Sequence, residues 1–131
     1  MLGSLRNQLL YSSVKAGITD SELEALLRSV NLWTTISRIG GLDRFADWNT
    51  LLSTGEQQQL AFARLFLFNP THAFLDEATS AVDSTTERMI YRALKERVQC
   101  YISVGNRSVL SEYHSRILEL KEDGSWTVTN V

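Results

Sequence analysis

The sequence is poor in the features that mark specialised classes of protein. It has a single cysteine, Cys100, which we expect to be a reduced, buried thiol of a cytosolic protein and not a redox or metal-binding group. Basic and acidic side chains nearly balance, at a net charge of −2, so nothing indicates a surface for nucleic acid or for an anionic membrane. Repeats and low-complexity stretches are also absent.

Long hydrophobic runs are missing as well. Residues 1–13 lack the continuous apolar segment of a signal peptide. The longest apolar stretch, residues 60–68, contains Arg64 and is too short to span a bilayer. We therefore expect a soluble chain whose 131 residues, 44% of them hydrophobic, build the core of one domain.

The most informative stretch covers residues 51–83. Ser53 and Glu56 have the spacing of a capping box, which predicts that a helix begins there. Apolar residues then recur at helical spacing as far as Leu67. The pair Asn69 and Pro70 ends the helix, because proline cannot continue it.

A short apolar run, residues 72–75, follows this helix and predicts a buried parallel strand. The run ends in two adjacent carboxylates, Asp76 and Glu77. Open α/β sheets bind their ligands at the carboxyl ends of their strands, so this pair is a candidate site. Taken alone, the same residues also fit the polar end of a strand, and Ser53 fits a plain helix cap.

Three short motifs in this stretch resemble those of the ATP-binding cassette (ABC) ATPases. Residues 52–56 (LSTGE) resemble the signature motif, residues 74–77 (FLDE) the Walker B motif, and residues 80–83 (SAVD) the D-loop. They occur in the family's order and at its separations. The EATS wording at residues 77–80 and the run that starts at Gly55 are similar to the transporter branch, especially the peroxisomal and bacterial half-transporters.

The resemblance implies an α/β fold, namely a partial P-loop NTPase core of the RecA-like, ABC type with its helical subdomain. Residues 2–11 resemble the segment after the family's Q-loop, so the chain is expected to be the C-terminal portion of one ATPase domain, with the P-loop half absent. Residues from about 1 to 70 would be the helical subdomain with the signature. Residues from about 71 to 131 would carry Walker B, the D-loop, the H-loop region and a C-terminal hairpin.

Local patterns place the remaining elements. Thr19 with Glu22, and Ser84 with Glu87, are two further capping boxes that each open a helix. Trp48 is expected to be a packing residue and not one that stacks on a nucleotide. A short helical segment is expected to end at residues 40–41, and another is expected near residues 109–113. Strands are predicted over residues 101–104, 117–120 and 126–131. The turn at residues 122–124 joins the last two strands in a hairpin.

Ser53, Thr54, Gly55 and Glu56 form the first candidate site. The amides at the start of a helix have no partner within the helix, and the positive end of the helix dipole adds to their attraction for an anion. Gly55 has no side chain and so permits close approach of its backbone. The resemblance implies that these residues bind the γ-phosphate of ATP held by a second ATPase domain in a head-to-tail dimer, with Asp83 in the dimer contact.

Asp76 and Glu77 form the second candidate site. The resemblance implies that Asp76 holds Mg²⁺ through water and that Glu77 is the general base that orients and deprotonates the attacking water. Family members usually carry a histidine at the position of Asn106. Because the Asn106 amide donates a hydrogen bond but cannot become a cation, it would be a degenerate form of that switch histidine.

Several departures from the family weaken the implied activity. No G-x-x-x-x-G-K-[ST] run occurs, so nothing in this sequence would cradle the β- and γ-phosphates. Gln59 stands where the family usually has arginine. Thr54 replaces a signature glycine, a change that the resemblance implies is tolerated, whereas Asn106 implies a weakened or non-hydrolytic site. We therefore expect that this chain by itself neither binds ATP tightly nor hydrolyses it, which leaves open whether it is an enzyme. Without the P-loop half, the strands near residues 72–75 and 101–104 would also expose apolar surface.

The implied function is that of an ATP-binding component of an ABC transporter, in which ATP binding and hydrolysis are coupled to transmembrane transport. The expected partners are the N-terminal half of the ATPase domain, a second ATPase domain and a transmembrane domain, at the cytoplasmic face of a membrane. An alternative is a non-catalytic module that supplies its signature face to a partner ATPase. A third assignment, to DNA-repair or chromosome-structure ATPases, is disfavoured because no heptad pattern indicates their coiled-coil arms.

Overall fold

The computed structural model describes residues 2–11, 17–105 and 108–131 of the chain. Asn106, the expected degenerate histidine position, lies outside the described residues. No helix within the described ranges combines the length and the hydropathy needed to cross a bilayer. The described α-helices are α1 (Leu5–Leu10), α2 (Asp20–Ser29), α3 (Trp33–Arg38), α4 (Trp48–Leu51), α5 (Thr54–Phe68) and α6 (Ser84–Arg97), followed by a 3-10 helix (Ser108–Tyr113). The described strands are β1 (Leu2–Ser4), β2 (Phe45–Asp47), β3 (His72–Asp76), β4 (Cys100–Val104), β5 (Arg116–Leu120) and β6 (Trp126–Asn130).

The strands of the described ranges pair into three two-stranded sheets. β1 pairs with β2 and β5 pairs with β6, both antiparallel, and the second pair is the predicted hairpin. β3 and β4 are parallel, with His72 opposite Cys100 and Asp76 opposite Val104. Parallel neighbours require a crossover connection, and α6 supplies it. The predicted strands are therefore confirmed, whereas the short sheet formed by β1 and β2 was not foreseen.

The hydrophobic core forms around α5. Leu60 and Ala63 of this helix are buried, and α5 contacts α1, α2 and α6. Trp48 is also fully buried, and its indole Nε1 donates a hydrogen bond to the Gly3 carbonyl oxygen at 2.8 Å. A buried indole needs such a partner for its N–H group. The predicted packing role of Trp48 is thus confirmed.

Two of the predicted helix starts have the expected capping geometry. At α2, the Glu22 carboxylate accepts the Thr19 amide at 2.7 Å. At α5, the Glu56 carboxylate accepts the Ser53 amide at 2.9 Å. Each exchange satisfies backbone groups that the helix itself leaves without a partner. The start of α5 is therefore held in place by its own sequence.

The capping box expected from Ser84 and Glu87 is wrong. Asp83 caps α6 instead, and its carboxylate accepts the Thr86 amide at 3.0 Å. The Glu87 side chain is only 2% exposed and accepts a hydrogen bond from the Thr79 hydroxyl at 2.7 Å. Aspartate and serine cap helices about equally well. The tertiary contact between Glu87 and Thr79 therefore decides which residue becomes the cap.

The expected burial is wrong for Cys100 and for one face of the strand β3, whereas the expected exposure of apolar surface is correct. Cys100 is exposed, so its thiol does not belong to the core. β3 buries Leu75 on one face, whereas Phe74 on its other face is 81% exposed. In the neighbouring strand β4, Ile102 is 54% exposed and Val104 is 59% exposed. Side chains alternate between the two faces of a strand, and the described elements cover one of those faces. The apolar surface expected for these strands is therefore present.

Candidate functional site

The first candidate site is the start of α5. The Ser53 hydroxyl accepts the Glu56 amide at 3.3 Å, and one oxygen of the Glu56 carboxylate accepts the Ser53 amide. The other carboxylate oxygen accepts a hydrogen bond from the Thr35 hydroxyl of α3 at 3.1 Å. Glu56 therefore fixes the helix start, whereas the side chains of Ser53 and Thr54 are exposed. An exposed start of a 15-residue helix is suited to binding an anion.

Gly55 lies against the backbone of the loop that follows β3. A Cβ atom at this position would lie 2.5 Å from the carbonyl oxygen of Ala81 and 3.3 Å from its carbonyl carbon. Because the opposing atoms belong to the backbone, they cannot rotate away as a flexible side chain would. The glycine therefore permits a close contact between two segments of this chain, a reason for glycine that differs from the approach of a ligand.

The second candidate site lies at the carboxyl end of β3, the position expected for it. Asp76 is the last residue of the strand and Glu77 follows it, and both side chains are exposed. The Glu77 amide donates to the Val104 carbonyl oxygen at 2.9 Å. The φ angle of Glu77 is 47°, in the left-handed region that residues with long side chains rarely adopt. Such conformations persist where the surroundings hold them, and they cluster at functional sites.

Gln58, which the sequence interpretation did not single out, joins the two candidate sites. Its Nε2 donates to the Glu77 carbonyl oxygen at 3.3 Å and to the Ser80 hydroxyl oxygen at 3.0 Å. Its Oε1 accepts the Ala81 amide hydrogen at 3.0 Å. Gln58 follows Gly55 by three residues, so both lie on the same face of α5. That spacing is the sequence signal that would have identified Gln58.

Gln59, the position where the family usually has arginine, has a structural role. Its side chain is buried, and Nε2 donates to the carbonyl oxygens of Val30 at 2.8 Å and Asn31 at 3.3 Å. Val30 is the C-cap of α2, where helix carbonyl groups need donors from outside the helix. A neutral amide supplies those donors at this position.

Asp83 combines a structural position with an exposed charge. It caps α6 by accepting the amides of Thr85 and Thr86, each at 3.0 Å. Hydrogen bonds from Thr86, first from its side chain and then from its backbone, hold the pKa of the Asp83 carboxyl below its usual range. The group is therefore ionised at neutral pH, and its side chain is exposed.

The structure thus joins the start of α5 to the loop that follows β3, through the Gly55 contact and the three hydrogen bonds of Gln58. The resulting surface offers helix amides and exposed carboxylates. In the described part of the chain, no three histidine, cysteine, aspartate or glutamate side chains converge as a metal site. A single carboxylate such as Asp76 fits Mg²⁺, which commonly binds one or two carboxylates together with water and substrate phosphates.

Relatives of this chain occur in bacteria, animals and plants. An uncharacterized ABC transporter ATP-binding protein of Synechocystis sp. is 42% identical over 131 residues, which are 100% of this chain and 20% of that protein. The lysosomal cobalamin transporter ABCD4 of Mus musculus is 40% identical over 98% of this chain and 22% of the transporter. The chloroplastic ABC transporter D family member 2 of Arabidopsis thaliana is 34% identical over 100% of this chain and 23% of that protein. Over essentially its whole length, the chain is similar to the ATP-binding proteins of ABC transporters.

The ABC relationship extends to three-dimensional structure. The structure of a bacterial Atm1-family ABC exporter with ATP bound matches 88% of this chain and 21% of the exporter chain, with a TM-score of 0.74 and 27% identity. No protein-family model matches the chain. The chain spans about a fifth of the length of the curated ABC relatives named above. Their D family members confirm the expected resemblance to the half-transporter branch.

Proposed function

We propose that this chain forms the part of an ABC transporter's ATP-binding domain that carries the signature, Walker B and D-loop motifs. Ser53, Thr54 and Gly55 would then bind the γ-phosphate of ATP held by a second ATPase domain, through the exposed start of α5. Asp76 would supply a carboxylate to Mg²⁺, and Glu77 would act as the base for the attacking water. The observation that carries the proposal is that Gln58 joins the start of α5 to the loop that begins at Glu77.

ATP as the ligand is supported by the names of the relatives and by the ATP-bound exporter. The sequence contains no G-x-x-x-x-G-K-[ST] run, so tight ATP binding requires a P-loop from elsewhere. We place that P-loop half of the core against the exposed apolar face of β3 and β4, which includes Phe74 and Ile102. The further partners in this proposal are a second ATPase domain and a transmembrane domain at the cytoplasmic face of a membrane.

A second candidate is a non-catalytic module that lends its signature face to a partner ATPase. The motifs of this chain leave this candidate open. Asp76 and Glu77 need a P-loop of their own domain, whereas the start of α5 would act on ATP held by the other domain. Both candidates therefore share one requirement, which is ATP-dependent binding through Ser53 and the first turn of α5.

Sedimentation velocity of the purified chain with the ATP-binding domain of the Synechocystis relative tests this requirement. We expect a complex in the presence of ATP and Mg²⁺ and none without nucleotide. Ser53→Asp preserves a good helix cap but adds a negative charge where the phosphate would lie, so the complex should be lost. Thr19→Asp makes the same change at the capping box of α2 and should leave the complex intact.

Association without ATP, or equal association by the Ser53→Asp variant, would contradict the proposal. Metal-dependent phosphate release by the chain alone would contradict the expected inactivity of the isolated polypeptide. In a hydrolysing complex that also contains the P-loop half of this chain's own domain, Glu77→Gln separates the two candidates. A lower rate indicates a catalytic transporter component, and an unchanged rate indicates the non-catalytic module.

A further inference from the structure

The backbone of Glu77 is the least expected conformation among the described residues. Three residues other than glycine have a left-handed φ in the described part of the chain, namely Asn31, Asn69 and Glu77. Asparagine adopts this region comparatively readily, whereas glutamate does so rarely. Neighbouring groups must therefore hold Glu77 in this conformation, and the direction of its carboxylate depends on them.

Three hydrogen bonds hold the Glu77 peptide groups. Its amide donates to the Val104 carbonyl oxygen at 2.9 Å, which continues the pairing of β3 with β4. Its carbonyl oxygen accepts the Ser80 amide at 3.1 Å and the Gln58 side-chain amide at 3.3 Å. The first two come from the sheet and from the loop itself. The bond from Gln58 is therefore the one that relates Glu77 to α5.

The Gln58 side chain makes three hydrogen bonds to this loop with a single amide group. Its nitrogen reaches Glu77 and Ser80, and its oxygen reaches the Ala81 amide. Two N–H groups and one carbonyl oxygen are the full set of polar groups in a glutamine side chain. The neighbouring Gln57 instead donates to the carbonyl oxygens ahead of the helix, those of Asn49 at 3.1 Å and Leu52 at 3.0 Å. The two glutamines thus bond the first turns of α5 to two different segments, the one that precedes the helix and the loop that follows β3.

We propose that Gln58 is a positioning residue for Glu77. It holds the left-handed backbone of Glu77 and ties the turn at Ser80 and Ala81 to α5, so that the Glu77 carboxylate keeps one direction relative to the first turn of that helix. This inference rests on the proposed function, because the direction of the carboxylate affects chemistry only if Glu77 acts on water at a bound phosphate.

Nuclear magnetic resonance of the isotope-labelled full chain, without nucleotide, tests the positioning. Gln58→Met has a similar length but makes none of the three hydrogen bonds. We expect exchange of the Ala81 amide hydrogen to accelerate at least about tenfold, because the hydrogen bond from this amide to the Gln58 Oε1 atom is lost. The Glu77 Cα and Cβ shifts should leave their left-handed values. Gln58→Glu keeps an acceptor for the Ala81 amide but lacks the donors, so it should alter the Glu77 shifts and preserve Ala81 protection.

Gln57→Met is the matched control, and it should change neither signal. If Gln58 only filled space, Gln58→Met would also change neither signal in a folded protein, and that result would overturn the inference. If Gln58→Met unfolds, the Gln58→Glu spectrum decides, since unchanged Glu77 shifts in that variant contradict the positioning role equally.

The functional consequence has a separate readout. In any complex whose turnover depends on Glu77, Gln58→Met should lower kcat and leave KM for ATP nearly unchanged, because Gln58 does not face the phosphate. If the unmodified chain showed no ATP-dependent association, that result would count against the proposed function alone. Unchanged Glu77 shifts in Gln58→Met would count against the positioning role alone.

Discussion

Replacing Gly55 with alanine sets two effects of opposite sign against each other at the start of α5. Alanine is a better helix former than glycine, by up to about 1 kcal/mol in a helix interior. The added Cβ atom, however, would lie 2.5 Å from the Ala81 carbonyl oxygen, whereas ordinary contacts begin at 3.4 Å. The helix and the loop must therefore separate by roughly 0.9 Å to admit it.

That separation affects the hydrogen bonds next to the contact. Gln58 reaches the Ser80 hydroxyl and the Ala81 amide at 3.0 Å each, and a shift of this size would stretch both beyond hydrogen-bonding range. Each lost bond costs about 1 kcal/mol, and overpacking typically costs about 1–3 kcal/mol in all. The clash therefore outweighs the helix propensity. We expect Gly55→Ala to lower the free energy of unfolding by about 1–2 kcal/mol.

Urea denaturation followed by tryptophan fluorescence measures this change. Thr54→Ala is the matched control, because the preceding side chain is exposed and its replacement should alter the free energy of unfolding by less than about 0.5 kcal/mol. Ala81→Gly should not rescue Gly55→Ala, since the opposing atom is a backbone oxygen. An unfolding free energy of Gly55→Ala equal to or above that of the unmodified chain would refute the reasoning.

Two further predictions concern charge and exposed surface. The pKa of the Asp83 carboxyl is lowered in the folded state, so its stabilising contribution is present above the unfolded pKa near 4 and is lost as the pH falls through that value toward the folded pKa. At pH 7, Asp83→Asn should have the same free energy of unfolding as the original chain, because asparagine is an equally good cap. Between pH 7 and pH 3 the variant should lose less of this free energy than the original chain, by no more than about 1 kcal/mol because the group is exposed. Equal losses in urea titrations at the two pH values would contradict this prediction. The 81% exposed ring of Phe74 is the largest apolar group on the open face of β3 and β4, and we expect isolated chains to associate with each other through this face. Phe74→Lys should therefore weaken that self-association at least about tenfold in sedimentation equilibrium. The same change at Phe45, 69% exposed on β2, is the control, and equal effects at both positions would argue against association through the β3–β4 face.

Short-range signals accounted for most of the fold. The capping boxes at Thr19 and Ser53, and the end of α5 at Asn69, depend on groups within four residues of each other, so their spacing in the sequence is sufficient. The strands β3 and β4 and the C-terminal hairpin also followed from apolar runs and turn residues. The position of Asp76 and Glu77 after β3 was predictable for the same reason.

The errors occurred where two local choices were equally good or where burial depended on distant surfaces. Asp83 and Ser84 are both suitable caps, and the choice between them followed from the bond of Glu87 to Thr79. Cys100 stands in an apolar run, yet its exposure depends on which face of the sheet other elements cover.

The sequence by itself determined the starts of α2 and α5, the end of α5, the strands β3 to β6 and the order of the ABC motifs, because each depends on residues that are close together along the chain. Only the tertiary structure decided that Gly55 must admit the Ala81 carbonyl and that Gln58 must hold Glu77. These contacts join residues far apart in the chain, and a hydrogen bond between such residues forms only after the core has brought α5 and β3 together.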